Sequence, residues 1–199
     1  MKSSSVGLII LAAGASTRMG TPKQLLLYQG RSFVRHIAEV AIASVCHPIT
    51  IVLGANAQQI KPEVSQLLVQ VVENPQWSQG MSSSLRVGIE ALNTVSQNLD
   101  AVVITLCDQP FVSSKILNRI VETYHSTGQL IIASEYAGTL GVPALFSRTL
   151  FSELMDLKHT EGAKKIIIKH KNEVFSVPFP DGSIDIDTPN DYEQLQTLI

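Results

Sequence analysis

Val6-Gly-Leu-Ile-Ile-Leu-Ala-Ala-Gly-Ala-Ser-Thr-Arg-Met-Gly-Thr-Pro-Lys23 is an apolar run that passes directly into a small-residue loop carrying two positive charges. An apolar run without polar alternation, here residues 6–11, reads as a strand covered on both faces, the kind that builds a parallel sheet. A glycine-bearing turn at the end of such a strand presents backbone N–H groups to an anion at the C-terminal edge of the sheet. The stretch is therefore read as a phosphate loop, with Gly14, Arg18 and Lys23 as the positions that carry its chemistry. It is not a Walker A loop: five residues separate Gly14 from Gly20, and Lys23 follows three later, whereas that loop places its lysine directly after the second glycine. The Gly-x-Gly-x-x-Gly spacing of dinucleotide sites is absent as well.

Outward from this loop the chain alternates strand and helix signals. Residues 25–28 form a brief extended piece and 32–43 a helix, with Phe33, Ile37, Val40 and Ala41 at helical spacing. Residues 49–53 read as the second strand and 68–72 as the third. Between them, 57–67 read as short helical turns broken near Pro62, which has no N–H to donate. A polar stretch over 73–80 leads to a helix from Ser82–Ser84 to about Asn93, with serine as the expected N-cap. Residues 101–106 are the strongest central-strand candidate, followed by a helix over 113–124 that ends at 125–128 and a strand over 130–133. The tail is mixed. Residues 136–142 read as loop, 143–146 as the entry to a strand, and 150–155 and 161–169 as helices. Residues 174–177 and 184–186 read as short strands, and the last helix has Thr188 as N-cap and Pro189 at its first position. This order predicts an α/β fold, a mostly parallel central sheet flanked by helices through right-handed crossovers, with a small mixed C-terminal part. One domain is expected over residues 1–199, with active residues beyond the C-terminal strand ends.

Composition narrows the function classes. The chain has 199 residues, is 45% hydrophobic and carries a formal net charge of −2, enough for one well-cored domain and unlike a general binder of nucleic acid or anionic membranes. Its two cysteines, Cys46 and Cys107, form neither a Cys-x-x-Cys pair nor a disulfide framework, so a reduced, cytoplasmic protein is expected. The N-terminal apolar run flows straight into the charged loop at Arg18, which argues against a signal peptide.

Besides the phosphate loop, four places stand at strand ends or helix starts. In Gly80-Met-Ser-Ser-Ser-Leu-Arg86 a glycine turn, hydroxyls and helix-start N–H groups suit a base, sugar or phosphate, or serve simply as a serine cap. Trp77, just before it, reads as core packing, with a lid or a loop anchor as the alternative. Asp108, directly after the most hydrophobic strand, needs compensation for its desolvation, and a Mg²⁺ ion beside a phosphate loop is the economical partner; a turn aspartate before Pro110 is the alternative. Its neighbour Cys107 reads as buried packing rather than as a nucleophile. In Asp185-Ile-Asp-Thr-Pro189 strand alternation puts Asp185 and Asp187 on one side, one as a second metal ligand, unless Asp187 only caps the helix. Lys164 and Lys165 lie in a charged stretch that reads as a solvated helix face, with contact to an anionic substrate as the alternative.

Four blocks, Leu11 to Leu26, Asn74 to Gly88, Asp100 to Pro110 and Asp185 to Leu195, occur in the order of, and together resemble, the molybdenum cofactor cytidylyltransferase group of MobA-like nucleotidyltransferases. The resemblance implies a Rossmann-like nucleotidyltransferase fold. It also implies transfer of CMP from CTP to a molybdopterin-type molybdenum cofactor with release of pyrophosphate, serving molybdenum hydroxylases, with a transient complex with such a hydroxylase or its maturation factor as the implied partner. The Ala12-Ala13-Gly14 form of the first motif, where the group attaching GMP usually has two glycines, favours cytidine. By position, Leu11, Ala12, Ala13 and Gly14 would border the base, Arg18 and Lys23 would contact the triphosphate, and Gly80, Ser82, Ser83 and Ser84 would enclose the nucleotide. Asp108 resembles the principal Mg²⁺ ligand and Asp187 the second, with Asp185 as the other choice. Arg18, Lys23 and Asp108 would then carry the catalysis, which in phosphoryl transfer is mainly alignment and charge neutralisation.

Two segments depart from the family pattern. Val142 stands where a histidine is common in a Gly-His-Pro motif, and His159-Thr-Glu-Gly-Ala-Lys164 stands where Gly-Asp-x-Gly-Ala-Arg is common. Both lie in the half expected to receive the acceptor. A sugar- or polyol-phosphate nucleotidyltransferase, and a non-catalytic molybdenum cofactor chaperone, are the rival readings.

Overall fold

The computed structural model describes residues 5–198; residues 1–4, which precede the apolar run read above against a signal peptide, and residue 199 lie outside them. The chain runs β1 (Val6–Ala12), β2 (Leu27–Tyr28), β3 (Arg31–Ser32), α1 (Phe33–Ile42), β4 (Ile49–Leu53), α2 (Ala57–Val64), β5 (Gln70–Glu73) and α3 (Met81–Val95). It continues with β6 (Ala101–Leu106), α4 (Ser114–Thr127), β7 (Ile131–Tyr136), β8 (Thr139–Ser147), α5 (Phe151–Met155), α6 (Ala163–Lys169), β9 (Val174–Pro178) and α7 (Pro189–Thr197). β2 and β3 form a small ribbon, and the other strands form one seven-stranded sheet in the order β5-β4-β1-β6-β8-β7-β9. Its first half is parallel. β8 runs antiparallel to both β6 and β7, and β9 is parallel to β7.

The apolar run that opened the sequence lies in the middle of the parallel half, and its alternate residues feed two different cores. Leu8 and Ile10 join α1, α2 and α4 on one face; Ile9 and Leu11 join α3, α5 and α6 on the other. Each of these side chains is worth about 1.5–3 kcal/mol on burial, which is why this strand tolerates no polar alternation. α3 approaches β1 closely at Gly88, where an added Cβ would lie 2.9 Å from the Ile9 side chain. That approach sets the N-terminus of α3 at the C-terminal edge of β1.

Local expectations fail where tertiary contacts outweigh them. α2 is not broken at Pro62; it runs through the proline, because losing one ladder bond costs less than exposing Ile60 and Val64, which are fully buried. The α3 N-cap is Gly80 with no side-chain cap, so all three serines lie inside the helix. Residues 136–142 are not loop: β7 and β8 form a hairpin around Ala137 and Gly138, both at positive φ. Residues 184–186 are extended but join no sheet; the Ile186 N–H instead donates to the Asp108 carbonyl at 3.0 Å. Among the described residues no helix is long and apolar enough to cross a membrane.

Candidate active site

The C-terminal ends of β1 and β6 open into a cavity of about 520 Å³ bordered by the 11–15 stretch, Arg18, Lys23 and Gln24, by Trp77, Gly80, Met81 and Ser84, and by Asp108, Asp185 and Asp187. The loop after β1 is held from beneath. Gln24, 1% exposed, donates its amide to the carbonyls of Ala12 at 3.0 Å and Gly14 at 2.8 Å. Ser16 donates to the Gln24 side-chain oxygen at 3.3 Å and accepts the Lys23 N–H at 3.1 Å. A buried polar side chain is tolerated only when so paired. Sequence reasoning missed Gln24 and Ser16; an amide inside the apolar context Lys23-Gln-Leu-Leu-Leu27 was the available signal.

Two cations and two carboxylates meet at the mouth of this loop. Lys23 Nζ lies 2.6 Å from Asp108 Oδ2 and 2.7 Å from Asp187 Oδ1, and Arg18 lies 2.7 Å from Asp187 Oδ2. Burial by itself lowers the Lys23 pKa, but the charges of Asp108 and Asp187 and their hydrogen bonds outweigh it, so the ammonium is held charged with a raised pKa. Burial likewise pushes Asp187 up, and Lys23 and Arg18 more than reverse it. Thr188 caps α7 in a capping box with Asp191, which leaves the Asp187 carboxylate to the cations. Burial pushes the Cys107 thiol far up, and a thiol held protonated suits packing rather than attack.

Asp185 borders the same cavity and, among the described residues, forms no ion pair. Its burial, then the charges of Asp108 and Asp187, raise its carboxyl above the ordinary 3.8. A raised carboxyl pKa means that the folded state gives up the proton less readily than the unfolded chain, so stability falls as pH rises from 3.8 through the folded value. Asp187 has the opposite sign, its contribution being complete above 3.8 and lost as pH falls through its lowered value. Asp185→Asn is therefore expected to melt higher than the parent at pH about 7 in chelator, the difference closing in acid; thermal unfolding against pH checks this, and a lower melting point at neutral pH contradicts it.

The second wall is built by interlocking turns. Asn74, 1% exposed, donates to the hydroxyls of Ser83 at 2.8 Å and Ser84 at 3.0 Å. Ser82 gives both its hydroxyl and its N–H to the His159 carbonyl, at 2.7 and 3.2 Å. The serine hydroxyls are thus largely spent inside the fold, and of the three only Ser84 borders the cavity, together with Gly80. Trp77 is not core: it is 37% exposed and forms the cavity wall with Met81. Lys165 pairs with Glu161 on the solvated face of α6. Gly80 has φ +107, and a Cβ there would lie 2.4 Å from the His159 carbonyl oxygen. Gly80→Val is expected to cost about 1–3 kcal/mol, read by denaturant unfolding, because it parts the 159–162 segment from α3.

Among the described residues no three His, Cys, Asp or Glu side chains form a ready-made metal cage. The donor set nonetheless fits a hard divalent cation: Oδ1 of Asp108 is buried without a hydrogen-bond partner, and carboxylate oxygen is the donor that Mg²⁺ takes. Asp108 and Asp187 would hold it, and its chemistry would be neutralisation of phosphate charge.

A family model described as the MobA-like NTP transferase domain matches residues 8–174. Nicotine blue oxidoreductase of Paenarthrobacter nicotinovorans is 36% identical over 141 residues, covering 70% of this chain and 66%, less than two thirds, of that protein. Molybdenum cofactor cytidylyltransferase of Escherichia coli is 22% identical over 190 residues, 95% of this chain and 94% of that one. The crystal structure of Rv0371c from Mycobacterium tuberculosis superposes with a TM-score of 0.83 at 30% identity over 99% of this chain and 100% of that one. Its complex with manganese gives 0.81 at 28% identity, over 98% and 100%.

Proposed function

The chain belongs to the MobA-like NTP transferase family, and from that membership we propose that it is a Mg²⁺-dependent cytidylyltransferase, one nucleotidyltransferase domain that moves CMP from CTP to a molybdopterin-type molybdenum cofactor. The observation that carries this reading is the Lys23, Asp108, Asp187 and Arg18 cluster at the mouth of the phosphate loop. In the step, a terminal phosphate oxygen of the acceptor attacks the α-phosphorus of CTP, the bond to the bridging α–β oxygen breaks, and pyrophosphate departs with the electron pair. The acceptor phosphate is already a nucleophile, so no activated serine or cysteine is needed. Lys23 and Arg18 bind the phosphates and neutralise charge on the departing pyrophosphate, Asp108 and Asp187 hold the cation, and Gln24 keeps the loop in register. The E. coli relative's name and full-length alignment support the cofactor as acceptor, and the manganese complex of the mycobacterial neighbour supports a divalent ion.

The name of the Paenarthrobacter relative supports a second reading, a redox role for the same cavity. Pyrophosphate release measured with CTP, GTP, ATP and UTP, each with and without molybdopterin cofactor and Mg²⁺, beside NADH and NADPH oxidation with nicotine blue as the electron acceptor, separates the two. CTP-specific, cofactor-dependent release is expected. Release only with a sugar phosphate selects a different acceptor, cofactor binding without turnover selects a carrier, and reduced-nucleotide oxidation without pyrophosphate selects the redox role.

A further inference from the structure

The ion pairs at the cavity mouth leave little room for a metal while they last. Both oxygens of Asp187 are taken, Oδ1 by Lys23 and Oδ2 by Arg18, and Oδ2 of Asp108 is taken by the same Lys23 ammonium. Only Oδ1 of Asp108, buried and without a partner, is left of the pair. A divalent ion that used both carboxylates would therefore have to break one of these contacts, or sit beside a retained ammonium and meet like charge at close range in a half-buried site.

The two cations are not equivalent obstacles. The Arg18 side chain is 69% exposed, so its pair is screened by water and salt and holds Asp187 weakly. Lys23 is 15% exposed and bridges both carboxylates. Its backbone is fixed by the Ser16 hydroxyl, yet its four-carbon stem lets the ammonium swing. The cluster of two cations and two carboxylates is neutral, and adding a divalent ion alone leaves a net positive charge even with the Asp185 carboxylate of the same cavity counted. Adding that ion together with a triphosphate does not, since the phosphates give Lys23 and Arg18 new partners.

We propose that Lys23 is an exchangeable counter-ion: it closes the Asp108–Asp187 pair to divalent cations until a nucleoside triphosphate draws its ammonium away, so that nucleotide and metal bind with positive cooperativity. The nucleotide part rests on the function proposed above, whereas the competition between Lys23 and the metal does not. Coupling of this kind is reciprocal, so the metal tightens the nucleotide by the factor by which the nucleotide tightens the metal.

Mn²⁺ binding, followed by the electron paramagnetic resonance signal of the free ion, tests this without turnover. In the absence of nucleotide, Lys23→Met is expected to bind Mn²⁺ at least about tenfold more tightly than the parent, and Arg18→Met by roughly threefold or less. With the non-hydrolysable α,β-methylene CTP, and after subtraction of the Mn²⁺ that the analogue chelates without protein, the parent is expected to gain more affinity for Mn²⁺ than Lys23→Met does. Lys23→Gln serves as the second uncharged variant, and thermal melts verify that each is folded. Folded variants binding Mn²⁺ no better than the parent without nucleotide overturn the proposal. Tighter binding by the variants, combined with no effect of the analogue on the parent, supports the counter-ion role and instead overturns the nucleotide reading.

Discussion

Lys23→Met is expected to lower kcat/KM for pyrophosphate release by about 10²–10³-fold, the usual scale for deleting one preorganised charge donor at a reacting phosphate or oxyanion. The lysine is largely enclosed, and its charge state is secured by two carboxylates at 2.6 and 2.7 Å, so no proton would have to be found if a triphosphate binds there as proposed. Steady-state assay with CTP, Mg²⁺ and acceptor is the check, beside thermal melts. A loss under about threefold would remove Lys23 from the chemistry. The same substitution is expected to tighten metal binding while it slows transfer, and that opposition distinguishes a lost phosphate contact from a damaged fold.

Asp108→Asn is the second large effect. It removes the charge from a side chain whose Oδ1 is buried and unpartnered, and leaves Lys23 with Asp187 as its ion-pair partner. Activity is expected to fall by about 10²–10³-fold at saturating Mg²⁺. Because an amide oxygen is a poorer ligand than a carboxylate for a hard cation, part of the loss should return at higher Mn²⁺. Unchanged metal-dependent release would sink the metal role of Asp108. Retained release that no longer depends on added metal would instead show that Lys23 and Arg18 supply the neutralisation by themselves.

The parts of the fold that were legible are those where local chemistry and burial agree. The unalternating run of β1 lies between two cores, β6 covers residues 101–106 as its composition predicts, and α4 begins at the Ser113 cap and stops at Gly128 in the left-handed region. β8 was legible only in its second half, where residues 143–146 read as the entry to a strand; its first half precedes Pro143, and a proline within a run argues against a strand between two neighbours. Pro143 is accommodated because the β7–β8 register shifts between Ala133 and Ser134, and Ser134 donates to the Pro143 carbonyl at 2.7 Å across the shift. Trp77 was misjudged for a related reason. Its size favours burial, but the turn between Asn74 and Gly80 sets it over Gly54 at the cavity rim, where a Cβ on that glycine would lie 2.6 Å from the Trp77 Cβ.

The sequence alone determined the glycine-bearing loop after the first strand, the α/β order and the identity of the charged residues, because strand periodicity, glycine turns and charge type are local properties of neighbouring residues. Only the tertiary structure decided their pairing. Lys23 and Arg18 meet Asp187 across 164 and 169 positions of chain, brought there by the Ile186 amide bonded to the Asp108 carbonyl and by the full burial of Ile186. The same distinction separates Asp187 from Asp185: strand alternation makes them equivalent, while the fold pairs one of them with two cations and, among the described residues, gives the other no ion pair. Ion-pair energy depends on distance in space and on desolvation, and neither is written in the spacing of residues along a chain.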